Sequence, residues 1–168
     1  SFSHSSSSFM IGKIQGNIVD LLYAPLSAAE VTIAVSLASV TRAVMIAIIS
    51  IITFMLIIEI QITNYLTLIA FTFLSSFILG NVGIIAGLWS EKFDNMATVT
   101  NFVIIPLSFL SGTFYSIERL PGLLKTISEF NPFFYMIDGF RYSFIGQADG
   151  SITVGLVYLT ILSLVSWF

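Results

Sequence analysis

The chain has 168 residues, 57% of them hydrophobic and 9% charged, with a formal net charge of −3 and a mean hydropathy of +1.00. Six basic and nine acidic side chains are too few to give a compact body an ionic surface, which argues against a water-soluble monomer. The acidic balance and the lack of a lysine or arginine run argue against nucleic acid as a partner. Without cysteine the chain forms neither disulfides nor thiolate metal sites.

The few charges are clumped. No ionisable acid or base occurs from Gln61 through Ser90, nor from Asn95 through Ile117, and both stretches exceed the length that crosses a bilayer. The composition therefore predicts an all-α, polytopic membrane protein. The opening SFSHSSSSFM has no initiator Met and no signal-peptide pattern, and an apolar run stops abruptly at Trp167 and Phe168. Both ends read as those of a fragment whose last span is cut or only just completed.

In chain order, Ser5 to Ser8 reads either as a flexible stub or as the tail of an earlier spanning helix. Lys13, Asn17 and Asp20 then recur at helical spacing opposite Ile14, Ile18, Leu21 and Leu22, which predicts an amphipathic surface helix over 13–24. Pro25 breaks it. Ser27 to Glu30 reads as a capping box, with Leu26 and Val31 at the staple positions, and opens a helix over 28–58. That helix is about 46 Å long, more than the roughly 30 Å hydrocarbon layer, so its first third is expected outside lipid. Placing its apolar part at 39–58 puts Arg42 one turn inside the boundary, with its stem reaching the headgroups.

A second span is predicted over 66–89, with Trp89 at an interface. Gly80, Gly83 and Gly87 allow close helix approach, Gly83 and Gly87 at small-xxx-small spacing. Glu91, Lys92 and Asp94 form a polar turn before a third span over 97–115, which carries Asn101 and a bend at Pro106. Asn101 reads either as an interhelical hydrogen-bonding group or as lining for a translocation path. Two short helices follow over 116–150, one with Pro121 at its first position, the next capped by Asn131 and Pro132 and closed by Gly146. Asp138 and Arg141 pair at i,i+3 in the second. Neither helix is long enough to span, so the pair lies in the interface or dips in and returns. The last span is expected over 151–168. Lys13, Arg42 and Lys92 on one side balance Arg119, Lys125 and Arg141 on the other, so basic residues do not set the orientation.

No catalytic constellation is apparent. His4 is the sole histidine, the central spans contain no Asp, and no phosphate-binding GxxxxGK[ST] loop occurs, so any energy source lies on another chain. No acidic ring or carbonyl filter motif suggests a channel. A membrane scaffold is the rival to a transporter.

The stretch LSFLSGTFYSIERLPGLLKTISEFNPFFYMIDGFRYSFIG, from Leu107 to Gly146, resembles the signature region of ABC-2 type transporter permeases. KIQGNIVDLLYAPLSAAE, from Lys13 to Glu30, resembles the cytoplasmic region before the middle span of bacterial members. The resemblance implies a six-span permease of a bacterial ATP-driven exporter in the inner membrane, lacking here the first span, most or all of the second and the last residues. It implies no enzymatic activity and no cofactor on this chain, ATP and Mg²⁺ being held by a separate ABC ATPase subunit, and a homodimer with a second permease copy. It further implies that Lys13, Asn17 and Asp20 lie near the coupling element. Glu118, Arg119, Pro121, Asn131, Pro132, Asp138, Arg141 and Tyr142 would belong to an outer re-entrant hairpin. The exported substrate is left open.

Overall fold

The computed structural model describes residues 2–16, 23, 26–58, 62–113 and 121–167. Among them every regular element is helical: α1 (Phe2–Gln15), α2 (Ala28–Met55), α3 (Tyr65–Trp89), α4 (Phe93–Val99), a π-helical segment (Thr100–Ile104), α5 (Ile105–Phe109), α6 (Gly122–Glu129), α7 (Pro132–Ile145) and α8 (Ile152–Trp167). The chain is thus all-α, and α2 and α3, with 28 and 25 residues, are long and apolar enough to cross a membrane.

Local sequence explains the helix starts. Ser27 accepts from the Glu30 amide at 3.3 Å while the Glu30 carboxylate accepts from the Ser27 amide at 2.7 Å, so two otherwise orphaned donors at the start of α2 are satisfied. Asn64 caps α3 through the Thr67 amide at 3.1 Å, and Asn131 caps α7 through the Phe133 amide at 3.0 Å. Within the spans, hydroxyls are satisfied by carbonyls one turn back, as at Thr72 to Leu68 and Thr53 to Ile49.

Helix α3 is the centre. Half of its most apolar window is buried against 17% for α2, so α3 meets more protein than α2, which presents one side outward through exposed Ile46, Ile49 and Ile52. Three glycines let neighbours close on α3. A Cβ on Gly80 would lie 3.0 Å from the Ser39 side chain, on Gly83 2.6 Å from the Phe2 carbonyl, and on Gly87 2.9 Å from the Ser6 carbonyl. These approaches set α1 parallel and α2 antiparallel to α3. On the other side Phe71, Ile78, Met136 and Leu159 form the core that joins α3 to α7 and α8. A Cβ on Gly139 would fall 2.2 Å from the Phe71 ring, so the approach of α7 to α3 at this point leaves no room for a side chain there.

The boundaries differ most from the sequence expectation at two elements. Lys13 lies on the last turn of α1, which ends at Gly16 with φ +76, and not at the start of a helix over 13–24. The serines before it are helical, Ser5 and Ser6 being buried against α3, because small hydroxylated side chains suit a close interhelical seam. Second, the helix expected at 97–115 begins at Phe93 and ends at Phe109, and its α-helical geometry is interrupted by the π segment, where the Ile105 amide donates to the Thr100 carbonyl five residues back. Widening the turn just before Pro106 accommodates a residue that has no N–H and would crowd the preceding carbonyl.

The same packing fixes the level of Arg42 along the bundle. Ser39 packs on Gly80, and Arg42 follows it by three residues toward the Tyr65 end of α3. Arg42 therefore sits about 18 Å from the level of either end of α3, farther than its side chain reaches.

Gly83→Ala should lower unfolding stability in detergent by about 1–3 kcal/mol, because the methyl meets the α1 backbone. Gly122→Ala, with nothing within 4 Å of its Cβ position, should be neutral or slightly stabilising in the same thermal melt. Equal effects of the two would refute this packing of α1 on α3.

Candidate functional site

Three groups of polar side chains cross between elements in this apolar body. The first is at the Trp89 end of α3. The Lys13 ammonium donates to the carbonyls of Gly87 and Ser90, each at 3.0 Å, and to that of Leu88. The last carbonyls of a helix have no partner within it and carry the negative end of its dipole, so a lysine is well matched to them. Lys13 thus ties the end of α1 to the end of α3 and to the turn leading into α4. Its expected companions Asn17 and Asp20 lie outside the described residues.

The second group is a buried amide that sequence reasoning passed over. Asn81 is 1% exposed; its Oδ1 accepts from the Ser36 hydroxyl and its Nδ2 donates to the Ser166 hydroxyl at 3.2 Å, linking α2, α3 and α8. Beside it the hydroxyls of Ser5 and Ser39 bond across α1 and α2. Asn101, which the sequence singles out, instead lies exposed on the π segment and has no side-chain hydrogen bond among the described residues. The signal for Asn81 was present, since it is an amide between Gly80 and Gly83 in a stretch without charge.

The third group organises the short helices. Asn131 Nδ2 donates to the Leu107 carbonyl at 2.6 Å, fixing the start of α7 to α5, while Pro132 occupies the first turn, where a missing N–H costs nothing. Pro121 caps α6 from one position before its first residue; Glu118 and Arg119 lie outside the described residues. Asp138, 3% exposed, accepts from the amides of Asp149 at 2.8 Å and Gly150 at 2.9 Å. Arg141 approaches Asp138 at 3.7 Å but Asp149 at 2.9 Å, and its second amino group donates to the Gly112 carbonyl at 2.7 Å. The Asp149 contact is an ion pair without the alignment of a hydrogen bond.

Asp149 was not anticipated, because its role depends on the turn after α7 folding back over Asp138. The Tyr142 carbonyl accepts from the Gly146 amide at 2.9 Å, closing α7 where Gly146 turns left-handed at φ +74. The Tyr158 hydroxyl donates to the Phe130 carbonyl at 2.8 Å. Burial, with smaller contributions from Tyr158, Glu129 and Asp138, pushes the Tyr135 phenol above its ordinary range. The Thr63 and Asn64 amides both reach the Ser143 carbonyl, at 2.9 and 3.2 Å, so the hairpin is also fastened to the start of α3.

This arrangement binds helices together and holds charge at the two ends of the bundle. Among the described residues no three His, Cys, Asp or Glu side chains gather as a metal site. Asp138→Leu should remove the acceptor of two amides and the partner of Arg141, at about 1–3 kcal/mol for each stranded group. A thermal melt in detergent and limited proteolysis between residues 145 and 152 check this. Unchanged stability and unchanged cleavage would show that the turn is held by something else.

The profile of the ABC-2 type transporter family matches residues 1–145. The chain is 29% identical over 170 aligned positions to the inner membrane transport permease YadH of Escherichia coli K12, covering 99% of this chain and 66% of that protein. The YadH proteins of Escherichia coli O157:H7 and Shigella flexneri align with the same identity and coverage. The chain therefore spans just under two thirds of the length of these relatives. No solved structure matches it. Two helices long enough to cross a bilayer, a third apolar helix in α8 and a family match over most of the sequence lead to one conclusion: the chain belongs to the ABC-2 type transporter family and is a multi-pass membrane protein.

Proposed function

We propose that this chain is the permease part of an ATP-driven exporter in a bacterial inner membrane. The family match carries the reading, and YadH relatives named as inner membrane transport permeases support it. A partner ABC ATPase binds ATP and Mg²⁺, hydrolyses ATP, and biases two packings of the spans. The segment after Gly16 receives that bias. It leaves α1 at the end where Lys13 holds the exit of α3, so movement there reaches α3 and α4 together.

The Lys13 end faces the cytoplasm and the hairpin of α6 and α7 faces outward. A second copy completes the permease. The stretch from Phe93 to Phe109 supports this, because Phe102, Val103, Ile105 and Phe109 are exposed and none of its residues is buried. The unpartnered Asn101 amide in that face suits a water-lined path or the second copy, since hydrocarbon gives an amide no partner.

Extraction of the full-length protein in mild detergent should copurify an ATPase. Asp20→Lys should leave expression intact and abolish most ATP hydrolysis by the complex, whereas a scaffold would keep its assembly and show no nucleotide effect. In intact cells, cysteines placed at Tyr65 and Glu91 should label from opposite sides. Labelling from one side would overturn the path through the bilayer, and recovery without any ATPase would overturn the transporter reading.

A further inference from the structure

A cavity of about 300 Å³ lies between α1 and α2, lined by His4, Ser5, Ser8, Ala34, Val35, Ala38, Ser39 and Arg42. Its chemistry is one-sided. A guanidinium and an imidazole face it without a carboxylate in the lining, and Arg42 has no hydrogen-bond or ion-pair partner among the described residues. The acid nearest along α2, Glu30, is about 18 Å away by helical rise and is engaged with Ser27. The Ser5 and Ser39 hydroxyls are satisfied by each other, and Ser8 donates to the His4 carbonyl at 2.9 Å.

Arg42 lies midway along the 28-residue apolar α2 and level with the middle of α3, and both it and His4 are exposed to the open side of the cavity. A cation at that depth is costly unless it meets water or an anion, and such residues mark pathways more often than they serve packing. Ala34, Val35 and Ala38 give the same cavity an apolar wall.

We propose that the α1–α2 cavity is an anion-binding site, in which Arg42, with His4 beside it, takes the phosphate or carboxylate group of a ligand within the membrane. As a cargo site this rests on the transporter reading. The binding itself does not, and the test needs neither ATPase nor transport, so the two readings fail separately.

The chain has no native cysteine. In full-length protein made cysteine-free elsewhere, Ala38→Cys should show in membranes a sulfonate-to-trimethylammonium methanethiosulfonate rate ratio about tenfold above that of the same cysteine in Arg42→Gln, as a fixed cation nearby requires. Arg42→Lys should retain the raised ratio. Dodecyl phosphate should protect the thiol and dodecanol should not. Protection by inorganic phosphate as well would assign a free anion as ligand, and protection by dodecyl phosphate alone an amphiphile; both support the site. An unreactive thiol, a rate ratio unchanged by Arg42→Gln, or protection by neither phosphate overturns it.

Discussion

Close approach to α3 is the constraint on which the rest of the bundle depends. In lipid no hydrophobic force drives one helix onto another, so contact must come from tight packing and from polar groups that find partners across the interface. Gly80, Gly83 and Gly87 remove the side chains that would hold α1 and α2 away. The serines of α1 and α2 supply small surfaces with hydroxyls, and Asn81 joins α2, α3 and α8 at one depth. The outward side of α2 remains apolar, as expected of a surface that meets hydrocarbon or another protein.

The two ends of the bundle are organised by different chemistry. At one, a single lysine satisfies the exposed carbonyls of α3 and binds three chain segments. At the other, Asp138, Arg141 and Asp149 form a compact network with backbone amides and the Gly112 carbonyl, while Asn131 reaches Leu107. Each end has strong polar links and the middle has few, apart from the amide cluster. Between them the stretch from Phe93 to Phe109 is only lightly packed and contains the π segment, so it is the element best able to change shape while both ends stay fixed. That division suits a protein that must alternate between packings, because discrete rearrangement needs rigid units joined by a deformable one.

Arg42 differs from the described acids in its place along the bundle. Every acid among the described residues lies near an end of the bundle, whereas Arg42 sits at mid-depth with imidazole and hydroxyl neighbours.

The all-helical membrane class, the capping of α2 by Ser27 and Glu30, the cap at Asn131 and Pro132, and the glycine positions were legible in the sequence. They depend on composition, on hydrogen bonds within four residues, or on the absence of a side chain. Only tertiary structure decided that the first serines form a helix against α3, that Asn81 and not Asn101 is buried, that Asp149 is the nearer partner of Arg141, and that Arg42 lies level with the middle of α3. These depend on which helix lies beside which, and at what register. In a chain where nearly every outward residue is apolar, periodicity cannot distinguish a face that meets lipid from one that meets protein, so neighbours and depth emerge only when the helices pack.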